Sequence, residues 1–310
     1  MAIRILVAAD VGAELLDRLA ADDRFEVDFR PTRTEDDLAE AVRDAAVLVT
    51  RHHNRITSRV LEAASQLRVI VQGTSGLDNI DPGARHRGIS VIGLPGENAN
   101  AVAELVIGSM IALTRTVPSY DRMMRAGVWN REDCATRREL RGHRLGIVGL
   151  GRVGGAVARL ARAFGVDARA YDPYLGEAEM DRRGATKVSS LAGLLRDSDV
   201  LTLHVPLTSE TRGMIGAREI ALLPPGAFVI NTARGEVIDR AALLAALARN
   251  ELGGIALDVY GDEPPADRWP DDPRIVLTPH IAGCTREAKA AIGRAVYAKI
   301  CEHFGLEPAG

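Results

Sequence analysis

At 310 residues the chain is longer than one ordinary hydrophobic core supports, so about two domains are expected. Its 46% hydrophobic and 26% charged residues are globular proportions. A net charge of −3 and only 4% aromatics argue against a nucleic-acid partner, whether held by phosphate contacts or by base stacking. From the N-terminus, Ile3 to Ala9 reads as a buried strand and Gly12 to Asp22 as an amphipathic helix. Phe25 to Phe29 alternates as a strand, and Thr34 caps a helical segment ending near Asp44. Strands follow around Val47, Val69 and Val91, with a helix from Ser58 to Ser65. Glu97 to Val117 predicts about five turns of buried helix that bridges two domains, with Asn98 or Asn100 as its cap. A second strand-helix series runs from Arg144 to His280, and a last long helix begins at Thr285. Continuous apolar strands alternating with helices imply parallel sheets covered on both faces.

No stretch approaches a membrane span, and the opening "MAIRILVAAD" is too brief for a secretion signal. Cys134, Cys284 and Cys301 lie far apart without disulfide or metal-ligand spacing, which fits a reducing cytoplasm and no metal. The basic run Arg137 to Arg144 reads as solvated surface.

The strongest local signal is "LGIVGLGRVGGAVARLARAFGVDARAYDP". Gly149, Gly151 and Gly154 form G-x-G-x-x-G between a strand and a helix, the arrangement that seats a pyrophosphate on a helix N-terminus. Arg152 stands at that helix start as a neighbour of the pyrophosphate. Asp172 follows the next strand, where a carboxylate accepts the adenosine-ribose hydroxyls and repels the extra phosphate of NADP. NAD is therefore the expected cofactor.

About 140 residues of another α/β unit precede this fingerprint. With "VQGTSGLDNID", "GLPGENANAVAEL", "LHVPLTSETRGMI", "VINTARGEVID", "LDVYGDEPP" and "LTPHIAG" in order, the chain resembles the D-isomer-specific 2-hydroxyacid dehydrogenase family, phosphoglycerate dehydrogenases included, from Leu48 to the last helix. The resemblance implies two doubly wound parallel-sheet α/β domains with a cleft between them. A flavodoxin-like substrate domain would span 1–97 plus 285–310, and a Rossmann NAD-binding domain 98–284.

It further implies a catalytic set. Arg234 binds the carboxylate and carbonyl of a small 2-hydroxyacid or 2-ketoacid, His280 is acid and base, and Glu263 is its partner. A histidine just beyond a parallel strand reaches the edge where open sheets bind ligands. The remaining cofactor positions are Val153, Val205, Pro206, Thr232, Ala233, Asp258 and Gly283, with Arg234 and His280 also counted there. The substrate loop offers Thr74, Ser75 and Gly76 as an anion nest, and Arg51 for the far end of the substrate. Thr74-Ser75 departs from the family's usual small pair at this loop. His52 and His53 read as solvated or capping groups, and Cys284 as a buried, inert thiol whose alkylation could still affect activity.

A homodimer is implied, with Tyr120 to Asn130 offered either to the partner or to intrachain packing. Competing readings are an NAD(H)-sensing corepressor-like binding protein and a phosphite dehydrogenase on the same scaffold. Among the hydroxyacid enzymes, phosphoglycerate, glyoxylate and hydroxypyruvate chemistry all stay open, and the chain stops at Gly310 without the regulatory extension of many phosphoglycerate dehydrogenases.

Overall fold

The computed structural model describes residues 2–131 and 137–308. Cys134 lies outside them. Two compact units emerge, Met1–Asn98 with Cys284–Gly310, and Ala99–Gly283.

The first unit is built on five parallel strands, β1 (Ile3–Val7), β2 (Phe25–Phe29), β3 (Val47–Thr50), β4 (Val69–Gln72) and β5 (Ser90–Gly93). Their order, β2-β1-β3-β4-β5, is the flavodoxin-like doubly wound one. Successive strand residues point to opposite faces, and both faces are apolar because both are covered. Ile5, Val7, Val49 and Val71 pack with Leu15 of α1 (Ala13–Ala20) and with Ile292, Val296 and Tyr297 of α12 (Arg286–Phe304). On the other face Leu6, Leu48 and Ile70 meet Leu38 of α2 (Glu35–Ala41) and Val60 of α3 (Ser58–Ala63). The Thr34 cap is present as a reciprocal box with Asp37. A short α4 (Gly83–His86) precedes β5.

The second unit opens with α5 (Ala99–Arg115), so Asn98 occupies the residue before the helix and Asn100 its first turn. The helix stops earlier than the apolar pattern suggests. Thr116 turns into the left-handed region at φ 53°, and α6 (Val117–Arg125) sets off in a new direction with none of its residues buried. Within this unit α5 packs on α7 (Arg152–Ala163) through Val106, Met110, Val157 and Ala161. Seven parallel strands follow the order β12-β11-β10-β9-β6-β7-β8. They are β6 (Arg144–Val148), β7 (Asp167–Tyr171), β8 (Thr186–Lys187), β9 (Val200–Leu203), β10 (Ala227–Asn231), β11 (Leu252–Leu257) and β12 (Ile275–Leu277). This is the dinucleotide-fold order, extended by one strand beyond β11.

The remaining helices are α8 (Glu177–Arg183), α9 (Leu191–Arg196), α10 (Ala217–Ile220) and α11 (Arg240–Ala248). Leu194 of α9 and Leu243 and Leu247 of α11 cover Leu201, Val229 and Ile255 on the face opposite α5. The basic run before β6 is not simply solvated. Leu140 and His143 are buried, burial pushes the His143 imidazole down in pKa, and Arg144 bonds Asp199. No single helix among the described residues is long and apolar enough to cross a membrane.

Candidate active site

Parallel strands deliver all their carboxyl ends to one edge of the sheet, and the second unit concentrates its chemistry there. At the end of β6 the chain turns sharply at Gly149, with φ 87°. A Cβ at this position would also lie 2.8 Å from the His204 carbonyl oxygen, so only glycine fits. Gly154 packs equally tightly, since its Cβ would meet the Gly149 oxygen at 2.2 Å. Gly151 caps α7 and faces open space, as backbone approached by a pyrophosphate must. Arg152 and Val153 begin that helix. Asp172 follows β7; its oxygens accept the Leu150 and Tyr174 backbone N–H groups at 3.0 Å each, which fixes the carboxylate beside the glycine turn.

The exit of β9 flanks this turn, and the exit of β10 lies one strand further along the sheet. Val205 lies against Gly149, and the Pro206 carbonyl accepts the Thr211 hydroxyl at 2.6 Å. Past β10, Asn231 shapes the next loop from both ends of its amide, accepting from Ala233 N at 2.9 Å and donating to Arg234 O at 2.8 Å. Thr232 borders a narrow crevice with Ser109, Asp258 and Thr278, and its buried hydroxyl has no partner. Arg234 is half-buried, and Nη1 donates to the Ala233 carbonyl at 2.8 Å. The loop then presses directly on the one after β11, for a Cβ on Gly235 would sit 2.1 Å from the carbonyl carbon of Tyr260.

Asp258, the first residue beyond β11, is 2% exposed. Its carboxylate accepts the Thr278 hydroxyl at 2.6 Å, Ile281 N at 2.8 Å and Ala282 N at 2.9 Å. These bonds clamp the segment after β12 that carries His280. The His280 backbone sits in the left-handed region at φ 52°, a conformation that costs a non-glycine residue on the order of 1–2 kcal/mol. Its N–H donates to Asp258 O at 2.8 Å. Glu263 completes the pair. One oxygen accepts Tyr260 N at 3.1 Å, and the other meets His280 Nδ1 at 2.6 Å. The Tyr260 hydroxyl donates to Thr278 O at 2.8 Å, and burial raises that phenol's pKa.

The structure therefore brings Arg234, Glu263 and His280 onto loops leaving three adjacent strands, β10, β11 and β12. Glu263 and His280 are in contact, and the loop carrying Arg234 packs on the Glu263 loop where Gly235 meets Tyr260. Asn231 and Tyr260 are positioning residues that sequence reading passed over. An asparagine closing a buried strand before a turn was the available signal for the first.

In the first unit Gly73 N donates to Thr50 O at 2.8 Å, and Gln72 donates to Gly76 O at 3.2 Å, fixing the loop at both ends. Thr74 lends its carbonyl to Leu94 N, and Ser75 is exposed. Arg51 is buried, with Nη1 donating to Asp10 O at 3.3 Å and Nη2 pointing at Cys284 Sγ, 3.7 Å away. His52 and His53 stack edge to face with centroids 5.6 Å apart. Cys284 departs from expectation: it is exposed, because it precedes the first turn of α12 instead of entering the core.

Together, the strand order, the glycine turn and the acid after β7 define a dinucleotide-binding α/β fold. The small-residue turns and the unpaired Thr232 hydroxyl fit a nicotinamide dinucleotide along this edge. Residues 107–282 match the model of the D-isomer specific 2-hydroxyacid dehydrogenase, NAD binding domain. The D-3-phosphoglycerate dehydrogenase of Archaeoglobus fulgidus is 37% identical over 297 residues, covering 94% of this chain and 55% of that protein. The Escherichia coli K12 enzyme of the same name is 37% identical over 309 residues, covering 97% and 74%. Among solved structures, D-lactate dehydrogenase from Aquifex aeolicus, complexed with NAD and lactic acid, superposes with a TM-score of 0.86 at 26% identity, covering 97% of this chain and 96% of that one. The chain belongs to the D-isomer specific 2-hydroxyacid dehydrogenases, and its cofactor is NAD. It spans about half the length of the first curated relatives it matches, 55% and 53%.

Proposed function

We propose that the protein is an NAD-dependent D-2-hydroxyacid dehydrogenase acting on C2 of a small 2-hydroxyacid or 2-ketoacid. The observation that carries this reading is the 2.6 Å contact between His280 Nδ1 and Glu263, made by residues beyond two adjacent strands of a dinucleotide sheet. Bound nicotinamide supplies the hydride acceptor or donor. With Nδ1 committed to the carboxylate, proton exchange with the substrate hydroxyl falls to Nε2 of His280. Glu263 fixes the tautomer and stabilises the imidazolium that forms on oxidation of the alcohol. Arg234 presents a planar fork for the substrate carboxylate and the reacting oxygen.

Val153, Val205, Pro206, Thr232, Ala233 and Gly283 provide small or apolar surface for the cofactor. Residues 98–284 then form the cofactor domain, and 1–97 with 285–310 the substrate domain, whose Thr74-Ser75-Gly76 backbone faces the substrate carboxylate. Arg51 has two guanidinium nitrogens engaged within its own unit, so its reach to substrate depends on the third. A second copy of the chain is the expected partner, through a surface that exposes Met124, Val128 and Trp129, the last at 73%.

The test is turnover of a panel of 2-ketoacids with NADH and NADPH, followed by absorbance of the reduced nicotinamide. Turnover of at least one acid with NADH preferred supports the reading. A protein that binds NADH and reduces none of them is a sensor instead.

A further inference from the structure

We propose that Cys284 and Arg51 form a covalent modification site that takes a small anionic disulfide by thiol–disulfide exchange. Cys284 is exposed and lies one residue before Thr285, the N-cap of the 19-residue α12. The positive end of that helix and a neighbouring guanidinium are the surroundings that favour a reactive sulfur. The independent observation is Arg51 itself. Only 8% of this residue is exposed, its Nη2 points at the Cys284 sulfur from 3.7 Å, and its Nε has no acceptor. Among the described residues no carboxylate lies at ion-pair distance from Arg51. The nearby Asp10 carboxylate is held by Lys289 at 2.6 Å and by Gly12 N at 2.9 Å. Arg51 feels the Asp10 carboxylate only from beyond ion-pair distance, and an anion arriving at Cys284 adds a further counter-charge to this buried cation.

Cys301 offers no comparable site, since it is fully buried and burial raises the pKa of its thiol. In the exchange the Cys284 thiol gives its proton to solvent and Sγ bonds to one sulfur of the disulfide. The disulfide's own S–S bond breaks, and its other half leaves as a thiolate that takes up a proton. The disulfide is the oxidant, so no further electron acceptor enters. Guanidinium and helix end both favour a disulfide bearing carboxylates over one bearing amines.

The test incubates the full chain with glutathione disulfide, which is anionic, or with cystamine, which is cationic, and follows mass and modified peptide. One glutathionyl adduct on Cys284 is expected, and Cys284→Ser abolishes it. The glutathione-to-cystamine rate ratio should fall about 3- to 10-fold in Arg51→Gln, as expected for one charge a few ångströms from the reacting sulfur, and recover in Arg51→Lys. Should Arg51→Gln fail to fold, the wild-type ratio is read against salt, where it must shrink on going from roughly 20 mM to roughly 500 mM as the Debye length contracts. No adduct on Cys284, an adduct confined to another cysteine, or a ratio indifferent to both Arg51 and salt overturns the proposal.

Discussion

Replacing Asp258 by asparagine tests how the His280 loop is held. The carboxylate accepts three donors in a site 2% exposed. An asparagine keeps one oxygen, and its amide group must then face either Ala282 N–H or Ile281 N–H, donor against donor. A buried N–H left unsatisfied costs about 1–3 kcal/mol, and loss of charge assistance in the surviving bonds about 1 kcal/mol more. The variant should therefore unfold about 2–4 kcal/mol more easily in urea. The same bonds offset the left-handed backbone at His280, so the imidazole loses its fixed place. A displacement on the order of 1 Å lowers kcat by up to about 10²-fold. Paired unfolding curves and steady-state kinetics on one preparation read both effects. Asp258→Asn with stability within about 0.5 kcal/mol of wild type and unchanged kcat refutes the reasoning.

Three further outcomes are expected. Asp172→Ser erodes the preference for NADH over NADPH, read as the ratio of kcat/KM values; an unaltered ratio shows that the ribose is held elsewhere. Arg234→Ala raises KM for the ketoacid and lowers kcat together, because the fork serves ground state and transition state alike, and a change in only one parameter contradicts that double role. Asp22, bonded by Arg24 at 2.6 Å and by the Tyr297 hydroxyl at 2.8 Å, has its pKa lowered from 3.8 to about 2, chiefly by Arg24. A depressed carboxylate stabilises the fold above its unfolded pKa and loses that contribution as pH falls through the folded value. Asp22→Asn should cost about 1 kcal/mol at neutral pH, given solvent screening of the partly exposed Arg24, and the gap to wild type should narrow as pH falls below about 3.8 and vanish below about 2. A pH-independent gap in thermal melts argues against the linkage.

Both sheets were legible because their strands are unbroken apolar runs, Ile5 to Val7 or Val47 to Val49, which only a doubly covered parallel sheet accommodates. The cofactor turn was legible because Gly149 and Gly154 answer to local sterics. What lay hidden depended on distant pairs. The apolar pattern through Val117 hid the break at Thr116, although Pro118 two residues on was an available sign, since proline suits the first turn of a new helix and not the interior of a continuing one. Cys284 looked like a core thiol by composition, yet its exposure follows from where α12 begins. Asp258, expected at the cofactor, spends its oxygens on residues 278 to 282, a bond pattern that no spacing along the chain reveals.

In the proposed reaction His280 is the proton donor and acceptor. The most direct measurement is single-turnover reduction of a ketoacid by NADH in wild type and His280→Gln, with NADH affinity measured separately. A fall of about 10² or more in the hydride-transfer rate, with NADH affinity nearly unchanged, is predicted. A variant that transfers hydride at the wild-type rate contradicts the assignment.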